Sequence, residues 1–156
     1  MKPGKPTIVV DADACPVKAE IARTGKQFGV PVLMVSSYDH LLVPEEGVDI
    51  VQVDRHSQAV DLYIVSRVVR GDIVVTQDFG LAAIVLAKGA VALSNRGQIY
   101  DDRTIGYLLD RRHEQAKRRR SGGRTKGPRA MTEEDRRHFQ QKLTKVLLER
   151  QENSEP

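Results

Sequence analysis

Five short apolar runs, mostly β-branched and mostly separated by helical patterns, set the tightest limit on what this chain can fold into. The runs occupy residues 7–12, 31–37, 48–54, 72–78 and 90–94. Helical stretches are predicted at 16–28, opened by Pro16 and stopped by Gly29, at 58–70, capped by Ser57 and ended by Gly71, and at 81–89. The runs are too apolar to leave a face in water. With helices alternating between them, they imply a mainly parallel sheet covered on both sides, a three-layer α/β/α fold. A further helix is expected from Thr104 to about Arg112. Thr132-Glu133-Glu134-Asp135 starts a last one over 132–151, with a capping-box spacing in which Asp replaces the usual Glu.

Only 4% of the residues are aromatic and none is Trp, so the core must be built from Val, Ile, Leu and Ala. One cysteine, Cys15, excludes an intramolecular disulfide and fits a reducing compartment. The opening MKPGKPTIVV is too short an apolar run for a signal peptide, and no stretch approaches a membrane span, so a cytoplasmic protein is expected. The charge is concentrated in RRHEQAKRRRSGGRTKGPR over 111–129, nine Lys or Arg against one Glu. That block (Arg111, Arg112, Lys117, Arg118, Arg119, Arg120, Arg124, Lys126 and Arg129) reads either as a surface for nucleic acid, RNA before DNA, or as a solubilising linker. The resulting plan is an α/β body over 1–112, a basic flexible linker over 113–131 and a terminal helix over 132–151. Phe139, Leu143, Val146 and Leu147 give that helix one apolar stripe, to be packed on the body or on another chain as a homodimer.

In an open parallel sheet, ligands bind outside the carboxyl ends of the strands. Strand one ends at Asp11 and Asp13, strand two at Tyr38-Asp39-His40, strand three at Asp54-Arg55-His56, strand four at Gln77-Asp78 and strand five at Asn95-Arg96. Turns favour Asp, so each alone is unremarkable; their convergence is the signal. Asp61 lies in the first turn of a helix that is apolar on most sides, where it serves either the helix dipole or the same cleft. Asp11, Asp13, Asp61 and Asp78 crowded together would repel unless a cation neutralised them. Oxygen ligands without His or Cys suit Mg²⁺ or Mn²⁺, and such an ion supports phosphodiester hydrolysis.

Other readings are weaker. A phosphatase of the haloacid dehalogenase type also ends strand one in D-x-D, but Gly71-Asp72 precedes its strand instead of following it. Cys15 stands at a helix start, yet no second Cys and no C-x₅-R loop accompany it, so it reads as a packed residue. His40, His56, His113 and His138 share no metal-ligand spacing. Arg55 and Arg96 at strand ends could meet phosphate. A non-catalytic RNA-binding module would use the basic block alone, with no aromatic or Gly-rich apparatus for sequence readout.

VVDADACPVK (9–18), SQAVDLYIV (57–65), IVVTQDFGLA (73–82), SNRGQIYD (94–101) and GPRAMTEEDRRHF (127–139) together resemble the uncharacterised bacterial YaiI/YqxD family. The resemblance runs from about Thr7 to Leu148. More distantly, the body is similar to PIN-like nuclease domains. That likeness implies metal ligands at Asp11, Asp61 and Asp78, a second polar ligand at Asp13, and a fourth acid for which Asp101 or Asp102 is a candidate.

Overall fold

A computed structural model describes residues 6–37, 42–55, 58–120, 122 and 130–154, with the side chains at 108, 109, 112, 119 and 152–154 outside that description. The elements are, in order, β1 (Ile8–Asp11), α1 (Lys18–Phe28), β2 (Val32–Ser37), β3 (Val48–Val53), α2 (Ala59–Arg67), β4 (Ile73–Val75), α3 (Phe79–Ala87), β5 (Val91–Leu93), α4 (Asp102–Arg120) and α5 (Glu133–Ser154). All five expected strands are present, and every pairing among them is parallel. Their order across the sheet is β3-β2-β1-β4-β5. Ser57, expected to cap α2, lies outside the described residues.

The sheet is buried on both faces because successive side chains point opposite ways. Ile8, Val10, Val32, Met34, Ile73, Val75 and Leu93 face one layer with Ile21 of α1 and the stripe of α5. Val9, Leu33, Val35, Val74 and Ala92 face the other, with Val60 and Ile64 of α2, Leu81, Ala82 and Val85 of α3, and Ile105 of α4. Close approach of α1 to the sheet rests on Gly25: a Cβ there would stand 2.6 Å from Val32 Cγ2 and 3.0 Å from the Val30 carbonyl. Among the described residues no helix is long and apolar enough to cross a membrane.

In the second half of the chain one expectation is corrected and one open alternative is decided. The fourth helix does not end near Arg112; it continues to Arg120, so part of the expected linker is helical. Residues 111–120 contain no Gly or Pro, and Lys, Arg, Gln, Glu and Ala are good helix formers, so nothing stops the helix before Gly122. Of the two packings left open for the stripe of α5, the structure has the one on the body. Phe139, Leu143, Val146 and Leu147 are all buried in the layer shared with α1, each contributing roughly 1.5–3 kcal/mol relative to exposure. Polar contacts fix the register of α5 on α1: Arg136 donates to the Pro16 carbonyl at 2.6 Å and pairs with Glu20 at 3.4 Å, and Arg23 donates to Gln140 at 3.1 Å. The expected capping box is there, with Thr132 Oγ1 accepting from Asp135 N at 3.1 Å and Asp135 Oδ2 accepting from Thr132 N at 3.0 Å. Gly97 (φ +86°) lets the turn after β5 meet this helix, since a Cβ would lie 3.0 Å from His138 Nδ1 and 3.2 Å from Phe139 Cα.

Candidate active site

The strand order creates a switch point between β1 and β4. The chain moves outward from β1 through β2 to β3, then returns to the far side of β1 for β4 and β5. The crevice outside the carboxyl ends of the strands at such a point is where doubly wound sheets bind ligands. Asp11 is the last residue of β1, and Asp78 follows β4 as the N-cap of α3. Asp61 enters from the first turn of α2, which crosses back over β2 and β1 on its way to β4.

One hydroxyl sets the spacing between the two strand ends. Thr76 Oγ1 donates to Asp11 Oδ2 at 2.9 Å and accepts from Asp78 N at 3.0 Å. Asp78 Oδ1 accepts from Leu81 N at 3.1 Å, so this aspartate also caps its helix. Asp13 is turned toward β2, where its Oδ1 accepts from Ser37 N at 2.9 Å. Asn95 ties the neighbouring turns together, its backbone N donating to Gln77 Oε1 at 2.7 Å and its Nδ2 to the Ala14 carbonyl at 3.3 Å. Tyr100 closes the back of the site, donating from its hydroxyl to the Thr76 carbonyl at 3.2 Å. Thr76 and Tyr100 escaped the sequence reading. The available signal was a threonine closing the apolar run Ile73-Val74-Val75.

The electrostatics are those of acids kept together. Burial raises the Asp11 carboxyl, the Thr76 hydrogen bond opposes that, and the charges of Asp13 and Asp78 add to the rise. Burial, a hydrogen bond with Asp78 and the charges of Asp78 and Asp11 push Asp61 up to about 7. Burial and the Asp78 charge push Tyr100 up to about 12. The four carboxylates singled out by topology are thus linked through Asp11 and Asp78. Their donor chemistry fits a hard divalent ion. Their placement does not chelate one as it stands: among the described residues no group of three His, Cys, Asp or Glu is arranged to hold a metal.

Other sequence candidates fall elsewhere. Asp101 is exposed and caps α4, accepting from Thr104 N at 2.7 Å, and Asp102 is exposed in the first turn of that helix. Cys15 is buried, and burial pushes its thiol up to about 11, which fits packing and not nucleophilic chemistry. Arg96 is not held out for a phosphate; it pairs with Asp135 at 2.8 Å and anchors α5. Arg55 is exposed beyond β3. His113 is exposed on α4, and His138 lies with Nδ1 2.8 Å from the Arg96 carbonyl. Tyr38, Asp39, His40 and His56 lie outside the described residues, as do Arg124, Lys126 and Arg129 of the basic block. Arg111, Lys117, Arg118 and Arg120 are exposed on α4, which also carries Arg112 and Arg119. Asp72, the second half of the phosphatase-like motif, sits at the opposite edge of the sheet. It is 4% exposed there, and its two oxygens accept from Thr7 N and Val69 N, both at 3.0 Å. A cavity of about 480 Å³ beside α1 is lined by Lys18, Arg23, Lys26, Glu45, Glu46 and apolar side chains, and by none of the four carboxylates.

Comparison with known proteins agrees with the sequence resemblance. The family model described as "Uncharacterized BCR, YaiI/YqxD family" matches residues 9–149. The UPF0178 protein Lmo1456 of Listeria monocytogenes is 44% identical over 142 residues, covering 91% of this chain and 95% of the relative. The UPF0178 protein BH1374 of Halalkalibacterium halodurans is 45% identical over 143 residues, covering 92% and 91%. Among solved structures, a crystal structure of a mutant Rae1 (YacP) from Bacillus subtilis is similar with a TM-score of 0.44 and 17% identity, over 92% of this chain and 98% of that one. With nearly its whole length matched by the family model and by these relatives, the chain belongs to the uncharacterised YaiI/YqxD family.

Proposed function

We propose that this chain hydrolyses phosphodiester bonds in nucleic acid, RNA before DNA, with Mg²⁺ or Mn²⁺ held by Asp11, Asp61 and Asp78. The observation that carries this reading is the linkage of Asp11, Asp13, Asp61 and Asp78 at the switch point, where burial and mutual charge raise Asp11 and Asp61. Proteins tolerate such an arrangement where a cation or a reaction uses it. The match of Asp11, Asp61 and Asp78 to the PIN-like pattern supports the same assignment. When bound, such an ion supplies Lewis acidity toward a phosphate oxygen and acidifies water. Asp61 must part from Asp78 and shed its proton to serve as a ligand. Asp13, held by Ser37 N, orients the attacking water or adds a ligand oxygen. Thr76 keeps the Asp11 and Asp78 ends at a fixed spacing while that rearrangement occurs. Arg111, Arg112, Lys117, Arg118, Arg119, Arg120, Arg124, Lys126 and Arg129 supply affinity for the phosphate backbone.

A second reading, a non-catalytic RNA-binding module, is favoured by one observation: no three acids among the described residues stand ready to hold an ion. One assay separates the two. Labelled single-stranded RNA is incubated with Mn²⁺ and the wild type, Asp11→Asn or Asp78→Asn. The proposal expects cleavage by the wild type and a loss of about 100-fold or more in each variant, the scale of a lost electrostatic contact to a reacting group. Equal activity in all three would sink it, and salt-sensitive binding without cleavage would leave the binding module.

A further inference from the structure

We infer that one face of α4 is a track for single-stranded nucleic acid, with Tyr107 as a base-stacking platform and Arg111 and Arg118 as its phosphate contacts. This rests on the nucleic-acid reading above and adds to it the strandedness of the substrate and an aromatic contact. The helix begins two residues after Tyr100, whose hydroxyl reaches the Thr76 carbonyl behind the acid cluster. Tyr107, Arg111, Gln115 and Arg118 follow at helical spacing on one face, a row of roughly 16 Å at 1.5 Å per residue. Arg111, Glu114, Gln115 and Arg118 line one shallow hollow of about 220 Å³.

Tyr107 is the unusual member. It is 65% exposed, whereas Phe28, Tyr63 and Phe79 are half-buried and Tyr100 and Phe139 are buried. Among the described aromatics it alone is not used for packing. Along α4 the exposed positive side chains, Arg103, Arg111, Lys117, Arg118 and Arg120, outnumber the exposed acids Asp102, Asp110 and Glu114. This charge fits a polyanion and the ring fits an unpaired base, because a duplex keeps its base faces stacked inside. Arginine and tyrosine at one-turn spacing therefore select a single strand.

The test uses the full chain in EDTA, so that cleavage plays no part, and follows fluorescence anisotropy of a short labelled strand as RNA, as DNA and as the RNA duplex. Tyr107→Ala should weaken single-strand binding roughly 5- to 100-fold and leave duplex binding unchanged, while Tyr107→Phe stays near wild type. Arg111→Gln with Arg118→Gln should lower the slope of log K against log salt by about 1.4 for a single strand. The RNA and DNA arms show which strand the track prefers. Unchanged single-strand binding in Tyr107→Ala, or equal losses on single strand and duplex, would overturn the inference. A dimer dependent on Tyr107 in sedimentation, with RNA binding unaltered, would overturn it as well. Failure of this track leaves the cleavage assay intact, and an inactive acid cluster leaves the binding result standing.

Discussion

The two ends of β4 carry one aspartate each, and the two are built in opposite ways. Asp72, at the amino edge, is nearly inaccessible, yet both its oxygens are met by backbone N–H groups of Thr7 and Val69. Asp78, at the carboxyl edge, is half-buried and spends one oxygen on the α3 cap, while its neighbours include Asp61 and Asp11. Burial alone would single out Asp72, whose oxygens are already spent on the fold. A buried carboxylate answered by N–H donors joins distant parts of the fold. Carboxylates held against one another make the folded state less stable, and that is the pattern expected of a site kept for something that binds there.

The largest effect that can break this comparison is at the amino edge. Asp72→Ala leaves the Thr7 and Val69 N–H groups without a partner and should cost roughly 3 kcal/mol in urea unfolding. The rate per folded molecule in the RNA assay should not change. A smaller effect of opposite sign is expected at the carboxyl edge. Asp61 titrates from 3.8 when unperturbed to about 7 in the folded chain, so the folded state keeps a proton that the unfolded chain loses. Its favourable contribution is present below pH 4 and is lost as the pH rises toward 7. Asp61→Asn should therefore raise the unfolding free energy by on the order of 1 kcal/mol at pH 8, allowing for solvent screening, and change little at pH 4. A variant less stable than wild type at pH 8 would mean that the acids are not in conflict.

Much of the fold was legible because β-branched runs and Gly or Pro stops coincide in this chain. Gly29 ends α1 in the left-handed conformation, as expected from sequence. Asp11 and Asp78 could be singled out because topology assigns strand ends to one sheet edge. The residues left Asp61 between the helix dipole and the cleft, and only the PIN-like resemblance favoured the cleft. The spacing of partners far apart in sequence was not legible. Arg96 looked available for phosphate until Asp135, carried on α5, proved to be its partner. The stripe of Phe139 and Leu143 could face the body or a second chain, and only the uncovered sheet face beside α1 decides it. The basic run was read as a linker through its like charges, although side chains that reach into water lose little by repulsion and the helix runs on to Arg120. Asp78 as a cap and Thr76 as a bridge were also hidden, since each depends on the other across the β4–α3 turn.

The central claim, that the carboxyl edge keeps its acids together for a cation, is tested most directly by thermal unfolding with and without Mn²⁺. Binding to the folded state alone raises the midpoint by mass action, so the wild type should melt several degrees higher in millimolar Mn²⁺ if its affinity is tens of micromolar. Asp78→Asn preserves the cap on α3, because Asn caps as well as Asp, and should lose that shift, while Asp72→Ala melts lower but keeps it. A wild-type midpoint indifferent to Mn²⁺, or a shift that survives intact in Asp78→Asn, would contradict the account.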